Sequence, residues 1–578
     1  MRLFHPRRTI LALVILIGIP TFLLPQAPKH ELRAVWISAA SGDWPRSNDP
    51  AEQQRSLIEI FDLLKKNNFN TVFFQVRPRG NVLYRSSIEP WAPQLSGVLG
   101  KDPGYDPLEF AVAQAHQRGL EIHAWFNVSK VWGSEQLPQH RDHVTRAHRN
   151  WVKLADGEWW LDMGIPEASE YTERLVRELI TTYDIDGLHF DYIRYPSDKF
   201  DDWDSFSQWS DGIERPEWRR NNITSFVRNC YTMVQETRPW IKVGSAPLGI
   251  YRSIAGAQSS FNGYSGVFQD SRRWLRERIH DYIAPQLYWS LGEQKNPNDP
   301  DFFALSNDWV QENYDRHVYI GIGAYRENVQ RELREQVITT RVEGADGHAF
   351  FRYENIGTVL SRIGGLYASP ALVPLMSWKD SVPPNMPKNI TVTTVQGGTL
   401  IRWDEPDTAP DKERPVRFVV YRSAHKNVDT HRGENILAVL PDSERSYRDE
   451  RSPDAAMFYT VTAVDRAGNE SGISVKNVPE VQSLFSRYAK PTAAAELSAT
   501  VTPGTNGRRY ISFELPKRML VTFTLRHSAA PKDTVIVRQM KDAGMHILAM
   551  DMRQFPPGPM EYILSADGSV LTGQIESR

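Results

Sequence analysis

The stretch Asp184–Pro196, reading DIDGLHFDYIRYP, decides the fold. Apolar Leu188 and Phe190 interleave with His189 and Asp191, the two-residue period of a strand. An amphipathic stretch, EASEYTERLVRELITTY (167–183), precedes it, and RPEWRRNNITSFVRNCYTMVQET (215–237) follows it. Outward from this unit, β-rich runs alternate with helical ones. The runs are RAVWIS (33–38), TVFFQVRP (71–78), EIHAWFNV (121–128), GLHFDYIRY (187–195), KVGSAP (242–247), DYIAPQLYW (281–289), YIGIGA (319–324) and HAFFRY (348–353). Strand–helix alternation of this kind predicts a parallel sheet covered by helices. Eight strands close a barrel, and no glycine-rich phosphate loop follows the first strand, as an open dinucleotide-binding sheet would require. The expected fold is α/β: a (β/α)8 TIM barrel over 31–367, followed by two all-β sandwiches.

Such barrels carry their chemistry at the C-terminal strand ends. On the fourth strand, His189 and Asp191 share a face, with Asp191 nearer the rim and Arg194 and Tyr195 just beyond. A carboxylate in a strand is costly to bury without a purpose or a partner. A structural pairing with Arg77 or Arg194 is the alternative to function. The second strand presents Gln75, Arg77 and Arg79 at two-residue spacing, and the third presents His123, Trp125 and Asn127. Gln286, Tyr288 and Trp289 end the sixth strand, Tyr325 follows the seventh, and Arg352, Tyr353 and Glu354 end the eighth. The candidate substrate-binding residues are Gln75, Arg77, His123, Trp125, Asn127, His189, Arg194, Tyr195, Gln286, Tyr288, Trp289, Tyr325 and Arg352.

Aromatic usage points to sugar. Of 17 tryptophans, 15 lie between Trp36 and Trp309, within the barrel segment. Flat rings with a hydrogen-bonding edge suit pyranose faces. Trp44, Trp91, Trp132, Trp203 and Trp209 are expected to wall a long groove, whereas Trp151, Trp159 and Trp160 read as packing. Glycoside cleavage usually takes two carboxyl groups. Asp191 is the first, as nucleophile or as stabiliser of an oxocarbenium-like transition state. Glu354 is the strand-end candidate for general acid, with Asp270 and Glu293 as runners-up.

Other chemistries are weakly represented. A net charge of −2 gives no electrostatic basis for binding nucleic acid. His140, His143 and His148 lack zinc-site spacing, so no metal and no cofactor are expected. The single cysteine, Cys230, rules out an intramolecular disulfide. Arg7 and Arg8 precede an apolar run from Ile10 to Leu24, which predicts a signal peptide over 1–27 and export to the periplasm, envelope or medium. An uncleaved membrane tether through the same segment stays open.

With these residues in hand, ELRAVWIS, FNTVFFQVRPRG, LEIHAWFN, DGLHFDYIRYP and YIAPQLYW resemble the glycosyl-hydrolase-like 10 family of bacterial envelope proteins. The resemblance implies a (β/α) barrel glycosidase acting on a polysaccharide, with peptidoglycan glycan strands stripped of peptides as the substrate of some members. Chitinase-type barrels carry DGxDxDxE on the fourth strand. Here Asp186, Gly187, His189, Asp191 and Ile193 occupy that pattern, so the acid is missing and the substrate-assisted mechanism does not transfer.

Composition shifts after Tyr367. A proline-rich stretch, 368–383, reads as a linker. Residues 384–478, with Trp403, Tyr421, Tyr459 and AVDRAGNESG, resemble a fibronectin type III domain. Residues 496–578 resemble a small Ig-like sandwich. Three classes of function follow: a glycosidase, a non-catalytic glycan-binding barrel, and a metal-dependent deacetylase, which the absence of metal-ligand spacing disfavours. The first two differ in whether a second carboxyl lies near Asp191.

Overall fold

The computed structural model describes residues 28–292, 300–450, 457–473 and 476–477. From 499 onward it describes 499–503, 508–515, 519–527, 530–541, 544–552, 555–566 and 569–576. The N-terminal segment 1–27 and Glu293 lie outside these residues. Among the described residues, no helix is long and apolar enough to cross a membrane.

Eight parallel strand positions form a closed ring among the described residues. They are β1 (Leu32–Ile37), β2 (Thr71–Arg77), β3 (Glu121–Asn127), β4 (Gly187–Asp191), β5 (Lys242–Ser245), β6 (Tyr282–Ile283 with Gln286–Leu287), β7 (His317–Ile322) and β8 (Gly347–Phe350). Each pairs with the next, and β8 closes on β1 through Leu32↔Gly347 and Val35↔Phe350. Pro285 splits β6, because a proline cannot donate to the ladder.

Helices α1 (Pro50–Lys66), α2 (Pro107–His116), α3 (Pro166–Thr182), α4 (Arg215–Thr237), α5 (Ser271–Arg276), α6 (Phe302–Gln311), α7 (Leu333–Glu343) and α8 (Ile356–Ile363) follow the strands in turn. Local chemistry fixes their starts. Asp49 accepts from Ala51 N ahead of Pro50, and Asp106 accepts from the amides of Leu108 and Glu109 ahead of Pro107. Outward-facing Val35, Ile37, Val72, Phe74, Leu188 and Phe190 pack against the helices. Inward-facing Ala34, Trp36, Phe73, Trp125, Tyr282 and Tyr319 fill the barrel. Cys230 is a buried free thiol on α4.

The floor of the barrel is polar. Glu121 accepts from Lys242 Nζ at 2.7 and 2.8 Å, and from Arg417 Nη1 at 3.4 Å. Arg417 belongs to the first C-terminal sandwich and also donates to Gly119 O. Burial opposes ionisation of Glu121. Lys242, the His123 hydrogen bond and Arg417 outweigh burial and hold the carboxyl well below its ordinary range. Nearby, Asp281 accepts from Trp378 Nε1 and Lys379 Nζ, both at 2.9 Å. The stretch read as a linker is therefore packed: Met376 is fully buried, and Trp378 and Lys379 close the floor.

That sandwich sets Lys388–Val395, Gly398–Asp404 and Ser446–Asp449 against Ile436–Pro441, Arg417–Ser423, Phe458–Val464 and Lys476–Asn477. Its core includes Ile401, Trp403, Phe418 and Tyr459. A second pair of antiparallel sheets spans Ala499–Glu576 around Phe513, Phe523 and Leu564.

Candidate active site

The C-terminal strand ends open into a cavity of about 290 Å³. β4 delivers Asp191 to it. The chain then turns through Tyr192, whose φ of 47° lies in the left-handed region that a bulky residue rarely adopts. This turn brings the Tyr192 amide onto Asp191 Oδ1 at 2.7 Å. Gln286, from β6, places its amide nitrogen 3.4 Å from the same oxygen and 3.2 Å from Ala246 O. Both contacts fall on Oδ1, which leaves Oδ2 for a ligand.

Burial raises the Asp191 carboxyl from 3.8 to about 6, against the Tyr192 amide, Arg194, the Trp125 indole and Lys130. Trp125 Nε1 is buried without a hydrogen bond of normal geometry, yet its N–H favours the charged carboxylate electrostatically. Every polar group acting on Asp191 is thus a donor or a cation. Such surroundings stabilise the ionised form, while desolvation makes it more basic than an exposed aspartate.

One wall is aromatic. Tyr288 stacks on Phe351 with centroids 5.5 Å apart, and Tyr325 meets both edge-on. Tyr325 is 47% exposed, so its ring is available at the rim. The opposite wall is polar. Gln75 Oε1 accepts from Ala40 N at 2.8 Å and Ser38 Oγ at 3.2 Å. Asn127 Nδ2 donates to Pro78 O, while its Oδ1 is buried without a partner. Arg79, Lys130 and Arg194 supply positive charge, and Lys130 pairs with Glu158 at 2.6 Å.

Of the residues singled out in sequence, Gln75, Trp125, Asn127, Asp191, Arg194, Gln286, Tyr288 and Tyr325 meet at this cavity. Others point elsewhere. A register shift between Gln75 and Arg77 takes Arg77 out of the alternation, and it pairs with buried Glu89 at 2.6 Å. His123 and His189 do face the axis, but one layer lower. His189 is sandwiched on Phe73 and bonded to Trp36 Nε1 and Tyr282 Oη; His123 bonds the same hydroxyl. Beyond the Tyr192 turn, Tyr195 is buried among Phe200, Phe268 and Arg219. Trp289 packs over Gly249.

The expected general acid is also displaced. Glu354 is half-exposed, paired with Arg352, and absent from the cavity wall. Arg352 itself braces the loop after β1, donating to Asp43 Oδ1 and Ser41 O. Asp270 accepts from Tyr251 Oη at 2.6 Å, away from the cavity. Among the described residues, Asp191 is the cavity's one carboxylate. The tryptophans expected to wall a groove lie outside this cavity. Trp44 is buried against Phe74, Trp132 donates to Gln136 O, Trp203 lies under Arg215, and none of the five lines the cavity.

The structure adds Ser38, Arg79, Lys130, Tyr192 and Phe351. Ser38 and Phe351 continue the alternations Ala34–Trp36 and Gly347–Ala349, which sequence could have followed. Lys130 and Tyr192 lie beyond strand ends, where no periodicity reaches. His143 has a positioning part: its Nε2 donates to Arg79 O at 3.0 Å, and burial keeps the ring neutral by lowering its pKa to about 4.

Residues 31–337 match the sequence profile described as glycosyl hydrolase-like 10. The chain belongs to the glycosyl hydrolase-like 10 family. The chain is 31% identical over 500 residues to glycosyl hydrolase YngK of Bacillus subtilis, covering 79% of this chain and 95% of that protein. It is 30% identical over 332 residues to glycosyl hydrolase DigH of Escherichia coli K12, covering 52% and 75%. Among solved structures, α-L-fucosidase isoenzyme 2 of Paenibacillus thiaminolyticus aligns with a TM-score of 0.43 at 12% identity, covering 94% of this chain and 98% of that one.

Proposed function

We propose that this protein is an exported glycosidase that cleaves a bacterial envelope polysaccharide, peptidoglycan glycan strands above all, with Asp191 as its central carboxylate. One observation carries the reading: a desolvated carboxyl at the end of β4, ringed by donors and facing an aromatic wall. The aromatic rings suit the apolar faces of pyranoses, and the donors suit an anion that must stabilise developing positive charge at an anomeric carbon. The segment 1–27 serves in this reading as the export signal. The first sandwich, in the manner of a fibronectin type III domain, serves as a rigid support.

Asp191 works ionised, as nucleophile or electrostatic stabiliser. The leaving oxygen then needs a proton from a second group, and Glu293, which follows Trp289 by four residues in the sequence, is our candidate. Digestion of purified glycan strands, with and without their peptides, followed by mass spectrometry of the released oligosaccharides, tests the activity. Strands left whole yet co-sedimenting with the protein would favour a non-catalytic glycan-binding barrel. The single carboxylate among the described wall residues is the observation that keeps this second reading alive.

The pH profile separates the roles of Asp191. A group active as carboxylate, with its pKa raised to about 6, gives kcat/KM rising about tenfold per unit below pH 6, levelling there, and falling only at higher pH as the second group loses its proton. A fall through the same range would reassign Asp191 as the acid. For Glu293→Gln, hydrolysis of glycan strands is expected to drop by roughly 10²-fold or more. Aryl glycosides whose leaving group needs no proton should be spared, and an equal loss on both substrates would remove Glu293 from the acid role.

A further inference from the structure

We infer that Arg79 and Arg194 form an anion-reading wall that makes this cavity select glycans bearing a free carboxylate over neutral glycans. The inference rests on reading the cavity as a glycan site. Among the described residues, neither guanidinium lies within salt-bridge distance of a carboxylate, whereas Lys130 on the same wall is neutralised by Glu158. Arg194 makes no salt bridge among the described residues, and Asp191 and Glu158 act on it only through space. Its guanidinium lies 5.2 Å from the ring centroids of both Trp160 and Tyr192, and among the described residues its one hydrogen bond goes from Nη1 to Tyr195 O. Arg79 makes no side-chain hydrogen bond within the described fold, but its place is shaped. Gly133 lies so close that a Cβ there would come 2.6 Å from Nη1, and His143 fixes the Arg79 carbonyl.

One further group at the cavity is built for a polar ligand. Asn127 is 3% exposed, and its Oδ1 has no hydrogen-bond partner among the described residues. Buried polar atoms are rarely left unpaired unless a ligand completes them. A guanidinium fork matches a carboxylate in two parallel hydrogen bonds, so two forks that make no salt bridge among the described residues, on one small cavity, suit an acid. The nearby negative charge of Asp191 favours a singly charged carboxylate over a doubly charged phosphate. The carboxylate could be carried on an ether substituent, as on a peptide-free muramyl residue, or at C6 of a uronic acid. The chemistry of recognition is the same for both.

The test uses full-length protein and three substrates: peptide-free peptidoglycan strands, the same strands with their carboxyls reduced to alcohols, and polyuronate oligosaccharides. Wild type is expected to prefer the acidic strands by roughly 10–100-fold in kcat/KM, chiefly through KM, as the loss of a charge-assisted hydrogen bond implies. Arg79→Gln and Arg194→Gln should each pull that ratio toward one. Gly133→Ala should do so partially, by displacing the Arg79 guanidinium. Arg194→Gln removes contacts to its aromatic neighbours, so thermal midpoints accompany each variant; Arg79→Gln breaks no side-chain hydrogen bond among the described residues and keeps the test decisive. Preference for polyuronates would support the inference with the ring acid as its source. A wild-type ratio near one, or ratios unmoved in folded Arg79→Gln and Arg194→Gln, would overturn it. Co-sedimentation with Asp191→Asn separates the two readings. Preferential binding of acidic strands without hydrolysis by wild type rejects the glycosidase but retains the carboxylate wall. Absence of both binding and hydrolysis rejects the wall as well.

Discussion

Asp191→Asn is expected to lower kcat on peptide-free glycan strands by roughly 10²–10⁴-fold, the usual contribution of a positioned acid–base or nucleophilic carboxyl. The substitution is nearly isosteric. The amide oxygen can keep the Oδ1 position, where Tyr192 N and Gln286 Nε2 converge, so the cavity should retain its shape and its affinity for glycan. The same change should raise stability at neutral pH. Burial moves this carboxyl from 3.8 to about 6, so the native state bears the full cost of its charge above about pH 6. Between those values the folded protein holds a proton that the unfolded chain has released, and wild-type stability falls as pH rises. The thermal midpoint of Asp191→Asn should therefore exceed that of wild type above pH 6, with the gap closing below 3.8. Undiminished turnover in this variant would remove Asp191 from the mechanism.

The second large effect is expected at the other end of the barrel. Glu121→Gln leaves Lys242 and Arg417, both nearly buried, without their shared counter-charge. Stranding buried cations in this way costs about 3–5 kcal/mol, measurable as a lower denaturant midpoint. Here the folded-state pKa is depressed below 4.5, so the stabilisation is complete above that value and is lost as pH falls through the depressed one. The gap between wild type and Glu121→Gln should narrow in acid. A gap that is constant with pH would show that the ionised carboxylate is not what holds the floor together.

The sequence was most legible where regular alternation ran uninterrupted. Trp125 and Asn127 on β3, and Asp191 on β4, are found by counting in twos along strands whose inward faces meet the cavity. Counting failed where geometry changed without a sequence mark. The shift at Gln75/Arg77 rotates one residue out of phase, and the Tyr192 turn sends Tyr195 into the helix layer. Alternation also says which face a residue takes, not how deep it sits. His123 and His189 were read as binding residues because they face the axis, yet Trp36, Phe73 and Tyr282 seal them beneath the cavity. Arg352 and Glu354 belong to the chain after β8 has ended, where the period no longer applies.

The floor network also bears on the order in which the molecule is completed. Glu121 and Lys242 emerge early from a chain made from its N-terminus, but Arg417 is synthesised 296 positions after Glu121. Trp378 and Lys379, which close over Asp281, come nearly as late. Until they arrive the ring of strands has an unfinished base, so a fragment ending before the first sandwich lacks part of its own foundation. The downstream domain acts as a keystone, and the base of the barrel is complete only once the chain behind it has been delivered.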